Sequence, residues 1–428
     1  MILVDGALAK RQRDGRPIRV GMIGAGFMGR GVARQINKYT QGMVLAAVSN
    51  RTLAGAERVY REAGVEDFTV ADSATGVAKA VSTGVPVVTD DPLAICAADG
   101  IDVICDVTGA VDFGAVVTLA AFEAGKHVVT MNAELDGTVG ALLAHRARSA
   151  GLVFSGVDGD QPGVEINLHR FVSGIGLTPL VMGNIKGLQD RFRTPTTQAS
   201  FAAKWGQDPH MVTSFADGTK VSFEQAIVAN AVGMTVERRG MGGADHRGHV
   251  DELTKSYDVD QLRELGGVVD YVVGSQPGPG VFCLATIDDP TQRHYLNLYK
   301  LGEGPLYSFY TPYHLCHFEV PTSLARAVDF QDSVIAADGA PQVEVVATAK
   351  TDLSAGTVID ALGGYHTYGE AERASLTAAQ RLLPMGVAEG CTLLRPVAKD
   401  STLTYDDVRL PDNRLIDKLR EEQAAIFG

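Results

Sequence analysis

An apolar, β-rich run over residues 18–23 leads straight into Gly24-Ala25-Gly26-Phe27-Met28-Gly29, and residues 31–38 then carry apolar Val32, Ala33 and Ile36 at helical spacing. Strand, glycine loop and helix in that order leave few folds open. Gly24 permits the tight turn, Gly26 lets backbone approach a pyrophosphate, Gly29 lets helix and strand pack closely, and the helix N-terminus offers amide donors with a positive dipole. A parallel α/β sheet that binds a dinucleotide is the expectation.

The chain continues in the same rhythm. Strands are predicted over residues 43–48, 102–107 and 126–130, and a helix over residues 113–124 stops at Gly125. Strands alternating with helices indicate a parallel sheet covered on both faces. From about Phe154 the texture changes to mixed α/β sequence, with a helix over 164–172 and a Gly/His-rich, mobile loop over 239–249. A further shift near residues 336–341 opens a stretch of short strands and turns. The reading is an α/β protein with a doubly wound Rossmann sheet over residues 1–155, an α/β catalytic and dimerisation domain over 156–338, and a small β-rich domain over 339–428.

With 428 residues, 45% of them hydrophobic and 21% charged, the chain has material for several folded domains and is not a disordered one. Its net charge of −13 argues against nucleic acid or an anionic membrane as the main partner. Cys96, Cys105, Cys283, Cys316 and Cys391 are odd in number and scattered, which supports neither a disulfide framework nor a zinc ribbon. No signal peptide is legible before the polar run at residues 10–14, and the longest apolar run, 115–122, is far short of the roughly 20 residues of a membrane span. A cytoplasmic protein acting on a small molecule is expected.

The second strand ends in Ser49-Asn50-Arg51, where enzymes that use NAD usually place an acid for the ribose hydroxyl. A hydroxyl, an amide and a guanidinium accept a 2′-phosphate that a carboxylate would repel, so NADP(H) is favoured over NAD(H). Arg51 can equally begin the next helix and face solvent. Thr108, Gly109 and Asn132 close the next two strands and are placed beside the nicotinamide. Glu134 and Asp136 either face the substrate or cap a helix starting near Gly137.

Asp158, Asp160, Gln161 and Glu165 cluster at the predicted domain junction. They suit a divalent cation, substrate hydroxyls or proton transfer, and equally suit the first turn of a helix. Lys186 and Lys220 are the candidate lysines for polarising a carbonyl, although Asp217-Gly218-Thr219-Lys220 also reads as a hairpin tip. Arg191, Arg193 and Lys204, interleaved with threonines, make either an anion pocket or a solvated loop. His314 and His317 lack the spacing of a zinc site, so no metal ligand is assigned; with Tyr310 and Tyr313 they suggest a pocket wall.

Residues 24–29, the run from Gly125 to Asn132, the Gly159-Asp160-Gln161-Pro162 turn and Pro312-Tyr313-His314-Leu315 together resemble the homoserine-dehydrogenase-like oxidoreductases that carry a C-terminal SAF domain. Residues 349–356, 383–390 and 404–408 carry the resemblance to the SAF module. The resemblance spans nearly the whole chain. It implies an activity like that of the deoxyxylulose-phosphate reductoisomerase-like enzymes: NADPH-dependent isomerisation and reduction of a ketose phosphate by a homodimer, with room for a divalent cation. Lys186 and Lys220 would then act on the carbonyl, Asp160 and Gln161 on hydroxyls, and Glu134, Arg191, Arg193 and His314 on the rest of the substrate. Two departures stand out. Ala133 replaces the lysine that follows Asn in homoserine dehydrogenases, and residues 186–206 do not match the reductoisomerase-like members. A dehydrogenase of another sugar or amino alcohol, and a nucleotide-binding regulator without turnover, are the alternatives.

Overall fold

The computed structural model describes residues 2–428, which divide into two compact units. The first gathers the chain through Asp160 with Leu315–Ala336 and Lys418–Gln423; the second holds Gln161–His314, Ala337–Asp417 and Ala424–Gly428. The three consecutive domains expected from the sequence are thus observed as two interleaved units.

A seven-stranded parallel sheet forms the first unit: β1 (Ile18–Ile23), β2 (Met43–Ser49), β3 (Thr69–Val70), β4 (Val87–Thr89), β5 (Val103–Asp106), β6 (His127–Thr130) and β7 (Phe154–Ser155). Their order is β3-β4-β2-β1-β5-β6-β7. The chain winds outward from β1 in one direction and then, from β5, in the other, so the topological switch lies between β1 and β5. Val20, Met22, Leu45, Val48, Val103 and Cys105 are buried, as a sheet covered on both faces requires. The helix Phe27–Tyr39 buries Gly29, Val32, Ala33 and Ile36, one face at helical spacing. The short strands β3, β4 and β7 escape sequence reading because two or three residues carry no periodicity.

In the second unit β8 (Thr178–Lys186), β9 (Ala244–Asp245), β10 (Val268–Val273), β11 (Gly280–Thr286) and β12 (Leu306–Thr311) form a mixed sheet ordered β12-β11-β8-β10-β9. The helices Gln161–Gly174 and Thr219–Val232 pack on it. Gly218, at φ +100, turns the corner between helices Pro209–Asp217 and Thr219–Val232, so the Asp-Gly-Thr-Lys run is a helix junction and not a hairpin tip. The Gly/His-rich loop is fastened: Asp270 Oδ1 accepts the amides of Gly242 (2.8 Å) and Gly243 (3.0 Å).

The C-terminal β-rich stretch pairs β13 (Val343–Ala349) with β14 (Thr367–Arg373) antiparallel, and β15 (Thr392–Leu393) with β16 (Val408–Arg409). It is knitted into the second unit. Asn230 Oδ1 accepts the amides of Gln342 (2.7 Å) and Val343 (3.0 Å) and its Nδ2 donates to Val343 O, while Thr219 Oγ1 accepts Gly369 N and Ser222 Oγ donates to Gly369 O. Among the described residues, no helix is long and apolar enough to cross a membrane.

Candidate functional site

The glycine turn has the geometry its sequence predicts. Gly24 sits at φ +113, a conformation costly for any side chain, and its amide donates to Ser49 O (2.9 Å), which locks the turn to the end of β2. A Cβ on Gly29 would lie 2.6 Å from Gly24 O, so helix and turn close up only with glycine there. Gly26 is the N-cap of helix Phe27–Tyr39 and supplies no side-chain cap, and a Cβ built on it would meet open space. The first-turn amides therefore face outward with no side-chain cap, at the switch point between β1 and β5, as a pyrophosphate site requires. Phe27 is exposed and Met28 half-buried beside them.

At the end of β2 the three expected ribose residues separate. Ser49 is buried at 1% exposure. Asn50 Nδ2 is spent on Thr52, bonding its carbonyl and its Oγ1 at 3.2 Å each, while Thr52 caps helix Leu53–Ala63. Arg51 is exposed, with no hydrogen bond or ion pair from its guanidinium among the described residues. Only Arg51 is left uncommitted for a 2′-phosphate.

Beyond β5 and β6 the structure brings Thr108 and Asn132 together around an acid that sequence reading passed over, with Gly109 next in the chain after Thr108. Asp106, fully buried, takes Thr108 N (2.9 Å) and Thr108 Oγ1 (2.7 Å) on Oδ1 and Thr130 Oγ1 (3.1 Å) on Oδ2. Burial holds its carboxyl above the usual carboxylate range, with these donors working against the rise. Asn132 bridges the two strand ends, donating to Ala110 O (3.0 Å) and accepting Leu135 N (3.0 Å). The usable signal was an acid closing an otherwise apolar strand. Asn132 is also the N-cap of helix Ala133–Ser149, so that helix starts four residues before Gly137, and Glu134 and Asp136 lie in its buried first turn without capping it.

The acidic turn divides by role. Asp158 is fully buried on Arg326. Asp160 is half-buried with Oδ1 3.7 Å from Cys316 Sγ, and Cys316 N donates to Gly159 O (2.7 Å). Gln161, half-buried, opens helix Gln161–Gly174.

In the second unit Lys186 closes β8, half-buried, and strand alternation puts it on the face that carries Asn184. Asn184 Nδ2 donates to Glu224 Oε2 (3.0 Å), and Glu165 Oε1 lies 2.6 Å from Gln225 Nε2. Glu165 is held well above the usual carboxylate range, first by burial and then by Glu224. Lys220 is buried in the first turn of helix Thr219–Val232, one turn before Glu224. The predicted anion pocket is already neutralised: Arg193 Nε meets Asp190 (3.0 Å), and Arg191 Nη1 lies 3.3 Å from Tyr368 Oη and 3.9 Å from Asp400. Lys204 lies over the Trp205 ring. His314 is half-buried in this unit.

Residues 18–130 match the model of an oxidoreductase family with an NAD-binding Rossmann fold, and residues 159–320 match the catalytic domain of oxidoreductase DRL. No curated protein matches the chain. Among solved structures, an NAD binding oxidoreductase from Klebsiella pneumoniae is 21% identical over 40% of this chain and 43% of its own, with a TM-score of 0.30. Myo-inositol dehydrogenase from Lactobacillus casei, in complex with NAD(H) and myo-inositol, is 13% identical over 73% of this chain and 86% of its own (TM-score 0.43). Scyllo-inositol dehydrogenase of the same organism is 14% identical over 63% and 73% (TM-score 0.35). The match to the Klebsiella protein thus spans less than half of that protein's length. Two successive stretches of the chain thus match oxidoreductase domains, the first of them an NAD-binding Rossmann domain.

Proposed function

We propose that the protein is an NADP(H)-dependent oxidoreductase acting on a small polyhydroxylated carbonyl compound, a ketose or sugar phosphate, in the manner of the reductoisomerase-like enzymes it resembles. One observation carries the reading: the open, uncapped helix end at Gly26 stands at the switch point of the sheet, with an uncommitted Arg51 at the end of the neighbouring strand. These residues fit the nucleotide. The amides of residues 26–29 would hold its pyrophosphate and Arg51 its 2′-phosphate, and bound NADPH supplies a hydride.

The chain's own part is positioning and proton handling. Thr108, held by Asp106, its neighbour Gly109, and Asn132, held by Ala110 O, border the nicotinamide. Lys186, with Lys220, polarises the substrate oxygen; Asp160 and Gln161 take hydroxyls, and Glu134 and His314 complete recognition. Arg191 and Arg193 bind the phosphate by exchanging their present carboxylate partners for it. A homodimer, a divalent cation beside the substrate and an SAF-like role for residues 339–428 belong to the same proposal.

The test is oxidation of NADPH, followed at the nicotinamide absorbance, with deoxyxylulose phosphate, other ketose phosphates and aspartate semialdehyde, each with and without magnesium or manganese. The reverse direction is assayed with NADP+ and myo-inositol. Turnover with a ketose phosphate is expected. NADPH binding with no turnover across the panel would instead indicate a nucleotide-binding regulator.

A further inference from the structure

Asp136 stands apart from the other buried acids of the first unit. Asp106 has three donors at the end of β5, and Asp158 has Arg326 and Ser323. Asp136, at 6% exposure, receives no hydrogen bond on its carboxyl from any described residue. Without donors, so enclosed a carboxyl favours its neutral form over the carboxylate. The structure nevertheless clears room for it. A Cβ on Gly140, one turn further along the helix, would fall 1.9 Å from Oδ1, and a Cβ on Gly156, just past β7, would lie 3.9 Å from Oδ2. Val139, just before Gly140 in the helix, departs from helical backbone at φ −137 and ψ 15. The carboxyl thus lies beyond the C-terminal ends of β6 and β7, the edge at which open α/β sheets bind ligands.

We infer that Asp136 is the catalytic acid–base residue of this oxidoreductase, an inference that rests on the function proposed above. In reduction the carbonyl carbon gains the hydride and the C=O π bond opens. The oxygen takes the Asp136 proton, and the carboxylate left behind is reprotonated by water. In oxidation the carboxylate accepts the proton of the substrate hydroxyl as the hydride leaves. Of the charged residues on its own helix and on the segments next to Gly156 and Thr138, namely Glu134, Asp158 with its partner Arg326, and Arg420, whose Nη1 donates to Thr138 O (3.0 Å), none hydrogen-bonds to its carboxyl. Burial alone raises the Asp136 carboxyl to about 7, where an acid can both give and take a proton near neutral pH.

The experiment compares wild type with Asp136→Asn. In wild type, kcat/KM for reduction falls above pH about 7 and that for oxidation rises through the same pH, because each direction needs the opposite protonation state. In Asp136→Asn both limbs vanish and kcat drops by about 10²–10⁴-fold, while the Kd for NADPH, read by nicotinamide fluorescence, holds within about two-fold. An infrared difference spectrum across the same pH range shows a protonated carboxyl in wild type that the variant lacks. Asp136→Ala takes its place should the amide variant not fold. Turnover whose pH limbs persist in the variant overturns the role of Asp136 alone. Wild type that binds NADPH but turns over nothing overturns the function on which the inference rests.

Discussion

Asp158 and Arg326 form a buried ion pair at 3.0 Å between residues that sequence analysis gave no reason to connect. Ser323 completes the arrangement: its Oγ accepts Asp158 N (2.7 Å) and donates to Asp158 Oδ2 (3.3 Å), and Arg326 Nη2 also holds Asp332 (2.6 Å). The pair ties the turn after β7 to helix Val320–Phe330, which packs on the Rossmann sheet. Removing one partner strands the other charge in a dry site. Arg326→Met should lower stability by about 3–5 kcal/mol in urea unfolding, and adding Asp158→Asn should recover part of that loss. Additive losses in the double variant would show that the two side chains do not depend on each other.

The proposed preference for NADP(H) rests on Arg51. Its guanidinium has no partner among the described residues, so its replacement should leave stability unchanged within about 0.5 kcal/mol. A charge-assisted bond to a phosphate is worth about 1.5–3 kcal/mol, so Arg51→Ala should weaken NADPH binding about 10- to 100-fold and hardly alter that of NADH. Fluorescence titration of both nucleotides reads the difference. Equal losses for the two would show that Arg51 does not read the 2′-phosphate.

Gly29 tests the turn. The atom a new Cβ would strike is backbone, Gly24 O at 2.6 Å, which no rotamer change relieves. Gly29→Ala should force helix Phe27–Tyr39 away from β1 at a cost of about 1–3 kcal/mol and weaken both nucleotides together. Gly26→Ala, with open space around it, should leave the fold intact, so any loss of binding there comes from the approach of the ligand.

These residues also show what a single sequence carries. The strand, turn and helix of the nucleotide cradle were legible because glycine spacing, apolar runs and helical periodicity are local. The four longer strands of the first sheet were legible for the same reason. Asp106 was not, since its meaning comes from Thr108 and Thr130, which tertiary pairing of β5 with β6 brings to it. The commitment of Asn50 to Thr52 and of Arg193 to Asp190 was equally hidden, because a motif names a residue type without saying what its side chain already holds. Nor did composition reveal that residues 337–417 share one compact unit with 161–314, since buried side-chain bonds such as those of Asn230 make that union.

Lys350 extends that union. Its Nζ, almost fully buried, reaches Asp217 Oδ2 (2.7 Å), Arg193 O (2.8 Å) and Gly364 O (2.8 Å). One ammonium therefore holds the end of helix Pro209–Asp217, the arginine loop and the connection between β13 and β14. Lys350→Met keeps the stem and deletes the charge, leaving Asp217 unpaired, and should cost about 3–5 kcal/mol. Hydrogen exchange should quicken in residues 187–194 and 360–367 before the rest of the unit. Unchanged protection there would mean that Asn230 and Thr219 suffice to hold the segment.

Glu165 sets the pH response of the second unit. It is fully buried, Oε2 has no hydrogen-bond partner among the described residues, and Glu224 adds like charge nearby. Its folded pKa lies well above the value of about 4.3 that it has in the unfolded chain. The folded state therefore binds the proton more tightly, and the stability this contributes is complete below the unfolded value and lost as pH rises through the raised folded one. Glu165→Gln carries no titrating group and keeps a polar contact to Gln225. Its stability relative to wild type should rise from pH about 4.3 upward, by about 1.4 kcal/mol for each unit of pKa elevation, until the folded carboxyl ionises. Thermal unfolding of both proteins across that range measures the difference, and parallel curves would mean that Glu165 ionises in the folded protein as freely as in the unfolded chain.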